Sequence, residues 1–251
     1  MLLENKNAVI YGAGGTIGSE VAHAFAREGA RVFLAGRTLE SFEEVAEGIR
    51  SAGGVAETAQ VDAIDETAVD RHADTVAASA GGIHISFNLI SVGDVQGTPL
   101  AEMPLEDFER PVMTAVRTQF LTSKAAARHM IRQGSGVILF FGGYGDPLPD
   151  YYLGGFQVAL NAIESLRRQL ASELGGHGIR AVTLQTGGVP ETIPESFDGR
   201  EAISEMIVGS TMLKRAATLE DVGNVAAFAA SDQARAMTAT ALNISCGAIV
   251  D

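Results

Sequence analysis

The stretch Asn5 to Gly18, NKNAVIYGAGGTIG, decides the fold of this chain. Its apolar run Ala8 to Tyr11 is typical of a buried parallel strand, and glycines follow it at once. Apolar residues at helical spacing come next, so we expect a helix to begin near Gly14 to Ile17. A strand, a glycine turn and a helix form a mononucleotide-binding unit, because glycines let the backbone approach a pyrophosphate at the helix N-terminus.

The glycine spacing is G-x-G-x-x-x-G, formed by Gly12, Gly14 and Gly18, and it differs from G-x-G-x-x-G because Ile17 occupies the place of the third glycine. We expect the turn backbone, including Gly15 and Ile17, to contact the pyrophosphate. The alternative is a turn that only packs the helix on the strand. The position of the motif at the first strand of an α/β pattern favours the nucleotide site.

Short apolar strands alternate with helical stretches along the rest of the chain. Further strands are predicted at Arg31–Ala35, Val55–Val61, Ile83–Ile90, Val137–Phe141, Arg180–Gln185 and Ala241–Ser245. The clearest helices are predicted at Leu39–Arg50, Glu66–Ser79, Leu105–Gln133 and Phe156–Leu174, the third of them disturbed at Pro111. The pattern predicts one α/β domain over residues 1–251, with a Rossmann-type doubly wound parallel sheet of about seven strands.

Composition limits the partners and the compartment. The formal net charge of −13 argues against nucleic acid or an anionic membrane as a partner. Cys246 is the single cysteine, so an intramolecular disulfide is impossible and a reducing compartment fits. No signal peptide is evident in MLLENKN, and no apolar run approaches the ~20 residues that span a bilayer. We therefore expect a cytoplasmic protein.

Several further stretches carry a family resemblance over essentially the whole chain. Asp62 follows the third strand and Asn88 follows the fourth. The stretches LASELGGHGIRAVTLQTGGVPET and LKRAATLEDVGNVAAFAASDQARAMTATALNISCG come later in the chain. Together with the glycine turn, they resemble the short-chain dehydrogenase/reductase family. Tyr11, Thr16 and Thr186 depart from the family pattern, where threonine, glycine and proline are usual.

The resemblance implies a nicotinamide dinucleotide cofactor and positions for it. Asp62 and the backbone of Ala63 would face the adenine, and Asn88 would lie near the ribose. The loop from Gly187 through Val189 to Thr192 would line the nicotinamide and the pyrophosphate. The resemblance also implies a homo-oligomer, a tetramer or a dimer, formed by the two long helices and the C-terminal strand region, acting on a small-molecule substrate.

The end of the second strand indicates which cofactor is used. A free 2′-hydroxyl favours a carboxylate there, whereas a 2′-phosphate favours a cation. The chain has Gly36 followed by Arg37, and a guanidinium can bind a phosphate through two hydrogen bonds. We therefore expect NADP(H) rather than NAD(H). The alternative interpretation of Arg37 is an ordinary solvated residue.

The family's catalytic groups are missing in this register. The resemblance implies a tyrosine, a lysine four residues later, a serine thirteen residues before the tyrosine and an asparagine in the preceding long helix. Anchoring on IESLRRQLASEL and FLTSKAAARHM places these groups at Phe156, Leu160, Gly143 and Ala115. A shifted register does not restore the set, because no lysine lies between Lys124 and Lys214.

Two tyrosines are the remaining candidates for a proton donor. Tyr144 directly follows the serine position, and Tyr152 precedes Phe156 by about one helical turn if the helix extends that far. The five histidines show no metal-binding spacing, and His129 is expected on a helix surface. Three functions stay open: an atypical NADP(H)-dependent oxidoreductase, a non-redox enzyme that orients a substrate in an apolar pocket, and a catalytically silent cofactor-binding or subunit-pairing protein.

Overall fold

The computed structural model describes residues 1–143 and 151–250, and its centre is a seven-stranded sheet in the order β3-β2-β1-β4-β5-β6-β7. All neighbouring strands pair in parallel. The strands are β1 (Asn7–Tyr11), β2 (Arg31–Gly36), β3 (Val55–Gln60), β4 (Ile85–Asn88), β5 (Gly136–Gly142), β6 (Ile179–Gln185) and β7 (Thr240–Asn243).

Helices cover both faces of the sheet. They are α1 (Thr16–Arg27), α2 (Leu39–Ser51), α3 (Glu66–Ala80), α4 (Leu105–Gln133), α5 (Gly155–Leu174), α6 (Arg200–Ser210) and α7 (Leu219–Ala230). One apolar cluster packs α1, α2 and α7 on one face, and a second packs α3, α4 and α5 on the other. The predicted doubly wound α/β fold is confirmed.

The central strands are apolar because both of their faces are covered. All five residues of β1 are buried, and so are four of the six in β2. The helices are bounded by local signals: the Asp65 carboxylate accepts hydrogen bonds from the backbone N–H groups of Thr67 and Ala68 at the start of α3, and Gly81 ends that helix with a φ of 82°. Apolar strand residues and helix-capping residues both leave a pattern in the sequence, which explains why these strands and helices could be predicted from it.

The order of the strands reverses between β1 and β4, and this reversal positions the site. Tyr11 at the end of β1 pairs with Asn88 at the end of β4. The glycine turn therefore lies beside the loop that follows β4, at the carboxyl ends of the strands. Ligands of open α/β sheets bind at such a reversal.

Pro111 lies within α4, and the disturbance predicted there is absent, because the helix runs from Leu105 to Gln133. Proline lacks an N–H group, so the carbonyl of Asp107 loses its helical partner. The ring of Pro111 is buried against the first turn of α5, where a Cβ added to Gly155 would lie 3.0 Å from Pro111 Cγ. Tertiary packing supports the helix across the missing hydrogen bond.

A buried tyrosine and histidine pair joins β1 to α3. The Tyr11 hydroxyl and His72 Nδ1 lie 3.3 Å apart, and the two rings pack edge to face. Burial lowers the pKa of His72 from 6.5 to about 4. Burial, and then the charge of Asp70, raise the pKa of Tyr11 above its ordinary value. Both side chains are therefore neutral at neutral pH.

Within the described ranges, no helix is both long and apolar enough to cross a membrane.

Acid should destabilise the protein through His72. The unfolded chain binds this proton near pH 6.5 and the folded chain only near pH 4, so the unfolded state holds more protons between these values. The free energy of unfolding should consequently fall as the pH drops through this window, by up to about 3 kcal/mol. Urea denaturation in steps from about pH 7 to about pH 4.5 measures the loss.

The control for this prediction is His72→Gln, which cannot titrate. Its free energy of unfolding should fall less steeply with acidification than that of the parent. Comparing the slopes removes the contribution of His84, whose pKa is also lowered by burial. Parallel pH profiles for the two proteins would contradict the assignment.

Candidate active site

The glycine turn is packed too closely for side chains at two of its positions. Gly12 has a φ of 79°, and a Cβ there would lie 2.6 Å from the Leu89 carbonyl. A Cβ at Gly18 would collide with the carbonyl oxygen of Gly12. The Gly12 N–H also donates to the carbonyl of Ala35 at 2.8 Å, which ties the turn to β2. Only glycine fits these two positions.

The start of α1 presents backbone N–H groups next to this turn. Gly15 is its N-cap residue, and no side chain caps the helix. Ile17 is partly buried and packs on the first apolar cluster, so its side chain serves the core. A Cβ at Gly14 would collide with the Ser41 hydroxyl at the start of α2. The cradle that glycine creates fits a pyrophosphate on the α1 N-terminus.

Arg37 lies exposed just beyond β2, where the sequence placed it. Its carbonyl accepts a hydrogen bond from Gln60 Nε2 at 2.7 Å, so its backbone is fixed. Its guanidinium makes no hydrogen bond or ion pair within the part of the chain that the structure describes. Thr38 caps α2 without a side-chain hydrogen bond, and the Ser41 hydroxyl donates to the Thr38 carbonyl. These groups leave the α2 N-terminus accessible to an anion.

Asp62 and Ala63 follow β3. One carboxylate oxygen of Asp62 accepts a hydrogen bond from the Ile64 N–H at 3.2 Å, which is the interaction of a turn residue. Asp62 is exposed, whereas Ala63 is buried in the second apolar cluster. The contact of Asp62 with an adenine stays a prediction.

Asn88 is buried at the end of β4, and its side chain is fully engaged. Its amide oxygen accepts from the Ile90 N–H at 3.0 Å. Its amide nitrogen lies 3.1 Å from the Thr118 hydroxyl and 3.4 Å from the Thr122 hydroxyl, both on α4. Asn88 therefore fixes the loop after β4 to α4. The sequence analysis missed both threonines, although their spacing of four residues on a helix puts them on one face.

The loop after β6 carries the remaining predicted cofactor residues. Gly187 packs closely on the C-terminal segment, with a Cβ position 2.9 Å from that of Ala248. Val189 is buried, and its carbonyl accepts a hydrogen bond from the exposed Thr192 hydroxyl at 2.7 Å. Glu191 accepts from the Leu219 N–H at 2.6 Å, so it joins the loop to the start of α7.

The four positions where the resemblance places catalytic groups are apolar, at the end of β5, in the first turns of α5 and on α4. A Cβ at Gly143 would meet Leu160 Cδ1 at 3.5 Å and the Thr186 carbonyl oxygen at 3.6 Å. Leu160 also covers Gly142, where a Cβ would lie 2.9 Å from Leu160 Cδ2. Leu160 and Ala115 are buried in the second apolar cluster, and Phe156 packs against it. None of these four side chains can donate or accept a proton.

Tyr144 lies outside the described residues, together with the rest of the segment 144–150. Tyr152 precedes α5, which begins at Gly155, so the placement of Tyr152 on a helical turn before Phe156 is wrong. Its φ of 49° is left-handed, and its side chain is 46% exposed. The Tyr152 carbonyl accepts a hydrogen bond from the Gly97 N–H. A proton-donating role for either tyrosine stays a prediction.

The sequence analysis also missed a buried polar network on α5. Arg167 is buried and donates to Glu164 through Nε and Nη2, at 3.1 and 2.8 Å. The Thr183 hydroxyl on β6 donates to the other oxygen of Glu164. The sequence pattern could have predicted this network, because Glu164 and Arg167 follow Leu160 at helical spacing and therefore lie on the same face of α5.

The histidines do not form a metal site. No group of three or more potential ligands gathers among the residues that the structure describes. His129 is buried rather than on the surface, which corrects the sequence-based expectation. Its Nε2 lies 2.8 Å from an Asp74 carboxylate oxygen, and Arg132 bonds its Nδ1. Asp74 on α3 and Arg132 one turn later on α4 thus provide a partner for each ring nitrogen, which explains how this polar ring is buried.

Comparison with known proteins agrees with this geometry. The family model described as Enoyl-(Acyl carrier protein) reductase matches residues 12–248. An uncharacterized oxidoreductase of Bacillus subtilis is 32% identical over 242 residues, which cover 94% of this chain and 88% of that protein.

Two solved structures share the fold at lower identity. A gluconate 5-dehydrogenase from Burkholderia cenocepacia, in complex with NADP and tartrate, superposes with a TM-score of 0.88 at 23% identity and covers 98% of this chain and 96% of its own. A xylitol dehydrogenase with NAD+ bound superposes with a TM-score of 0.87 at 24% identity, covering 98% and 100%. From the match along nearly its whole length, this chain belongs to the short-chain dehydrogenase/reductase family.

Proposed function

We propose that this protein is an atypical NADP(H)-dependent oxidoreductase that works without the family's usual proton donor. The observation that carries the proposal is the contrast between the two halves of the site. The glycine cradle at β1 is closely packed and complete, whereas Leu160 covers the end of β5 with hydrocarbon. A bound nicotinamide would supply the hydride, and the chain would supply binding, orientation and an apolar surface.

The preference for NADP(H) rests on Arg37. Its guanidinium has no partner among the described residues, and the Thr38 and Ser41 hydroxyls flank the α2 N-terminus beside it. A guanidinium, hydroxyl groups and a helix N-terminus together suit a phosphate dianion.

The preferred substrate is an activated alkene or an imine rather than a simple ketone. Reduction of a ketone places negative charge on oxygen, and a nearby acid contributes ~10²–10⁴ in rate. Phe156 and Leu160 hold no such acid. Hydride addition to an iminium or an enone depends less on a protein acid, so Tyr144, Tyr152 or solvent suffices as the proton source.

A second candidate is a catalytically silent cofactor-binding or subunit-pairing protein. Leu160 favours it, because its side chain fills space over Gly142 that a reacting group would otherwise reach. A non-redox enzyme that orients an apolar substrate by proximity draws on the same surface. Turnover with NADPH separates the first candidate from both of these.

We further propose a cytoplasmic homo-oligomer, a dimer or a tetramer. Met113, Val116 and Phe120 are exposed on α4 at helical spacing, and Val158 is exposed on α5. Such an apolar stripe on the two long helices suits a second copy of the chain.

Replacing Arg37 with alanine should weaken NADPH binding by about 1–3 kcal/mol, because one charge-assisted phosphate contact is lost. NADH binding should change little, since it carries no 2′-phosphate. Fluorescence titration of the parent and the variant with both cofactors measures this. Equal affinities of the parent for NADPH and NADH would overturn the cofactor assignment.

Simple ketones should be reduced at least ~10²-fold more slowly than enones or cyclic imines, because Phe156 and Leu160 supply no acid where the family places its tyrosine and lysine. The measurement is NADPH oxidation with a matched panel of the three substrate classes. Fast ketone turnover would show that the register assigned to Phe156 and Leu160 is wrong.

Tyr144→Phe and Tyr152→Phe locate the proton source in the same assay. A loss of turnover in one variant assigns the proton to that tyrosine. Unchanged turnover in both assigns it to solvent.

Substituting Phe120 with glutamate should break the assembly, because it places a charge in the centre of the α4 stripe. Light scattering at micromolar concentration should show a dimer or tetramer for the parent and a smaller species for the variant. Val55→Glu introduces the same charge at an exposed position on β3 and serves as the control. A monomeric parent would rule the assembly out.

A further inference from the structure

Gln185 presents an unusual buried amide at the last residue of β6. The residue is 7% exposed, and its carbonyl accepts a hydrogen bond from the Ile244 N–H at 2.7 Å. Its side-chain amide, in contrast, makes no hydrogen bond within residues 1–143 and 151–250. Leaving such an amide buried without partners is costly.

The amide faces α5. Side chains alternate between the two faces of a strand. Ala181 belongs to the cluster under α4 and α5, and Thr183 bonds Glu164 on α5. Gln185 follows at the same parity, so it projects from the same face at the carboxyl end of the strand.

The immediate neighbours of Gln185 leave room on this face. Gly142 is its partner in β5 and has no side chain. Leu160 covers Gly142 and offers no hydrogen-bonding atom. The protein does not fully enclose the two polar atoms of this amide, so a ligand can reach them. In the free protein solvent can satisfy these atoms, and a ligand with hydroxyl groups can replace that solvent.

The strand order indicates which part of a ligand arrives there. The pyrophosphate cradle lies at the end of β1, and the loop 187–192 follows β6, three strands away through β4 and β5. Strands are spaced about 4.8 Å apart, so the two places are separated by about 14 Å. A dinucleotide that joins them must carry its second ribose across the ends of β4 and β5, and Gln185 lies beside the end of β5 as the partner of Gly142.

We propose that Gln185 binds the hydroxyl groups of the nicotinamide ribose and so positions the nicotinamide half of the cofactor. A carboxamide offers one acceptor and one donor group, which match two adjacent hydroxyls. Leu160 cannot make these contacts, so Gln185 is the positioning residue on this face. This inference rests on the proposed cofactor binding.

The test uses three ligands that differ in whether they contain this ribose. NADPH and 2′-phospho-ADP-ribose contain it, and adenosine 2′,5′-bisphosphate ends before it. In Gln185→Leu, affinities for the first two should fall about fivefold, as expected for loss of a neutral hydrogen bond, while the third stays unchanged. Isothermal calorimetry on the full chain provides the three constants.

Matched variants keep the result specific. Gln169→Leu makes the same chemical change on the exposed surface of α5 and should leave all three affinities unchanged. The free energy of unfolding should not fall in Gln185→Leu, because the side chain loses no partner in the protein. Gln185→Met repeats the test with an unbranched side chain.

The possible outcomes separate the two proposals. If the parent binds NADPH and Gln185→Leu binds it equally well, the role of Gln185 is overturned while the proposed function stands. If all three ligands weaken together, Gln185 supports the fold and the positioning role is also overturned. If the parent binds neither NADPH nor the two fragments, the proposed function itself fails.

Discussion

The close approach of the glycine turn to the end of β4 is the constraint on which the rest of the site depends. Gly12 lies against the Leu89 carbonyl, and Gly18 lies against the Gly12 carbonyl. These contacts bring the start of α1 over the end of β1 and set the exit of β4 beside it. A side chain at either glycine would separate β1, β4 and α1 by more than a local adjustment. The proposed cofactor cradle and the central packing of the sheet therefore depend on the same contacts.

Local signals made the fold predictable, and distant partners made parts of the site unpredictable. The apolar runs and the glycine spacing are read within a few neighbouring residues, so the strands and the turn were located within a residue or two. Asn88 was located too, but its partners on α4 come from thirty residues away. His129 was placed on a surface because its partner Asp74 lies on another helix. Tyr152 was misplaced because α5 begins only at Gly155, after Gly154 with its φ of 58°.

The apolar character of the first turns of α5 does not continue along the whole helix. Leu160 is buried at the carboxyl edge of the sheet, whereas Glu164 and Arg167, one and two turns later, form a buried ion pair that Thr183 completes. Such a pair is tolerated only with good geometry, and Arg167 Nη1 has no hydrogen-bond partner among residues 1–143 and 151–250. The helix thus keeps a demanding polar network inside the protein. The hydrocarbon that Leu160 places over Gly142 and Gly143 is therefore confined to the first turns of α5.

The glycine turn at β1 and the apolar positions near the end of β5 are subject to different physical requirements. The phosphate cradle is made of backbone N–H groups and glycine geometry, which the packing of β1, β4 and α1 needs in any case. The proposed reacting half combines Leu160, which is buried in the second apolar cluster, with Gly143, where a Cβ would make only ordinary contacts. A side chain added at Gly143 costs little stability, while a side chain at Gly12 or Gly18 disrupts the fold. Similarity in fold therefore supports an inference of cofactor binding more strongly than an inference of any one reaction.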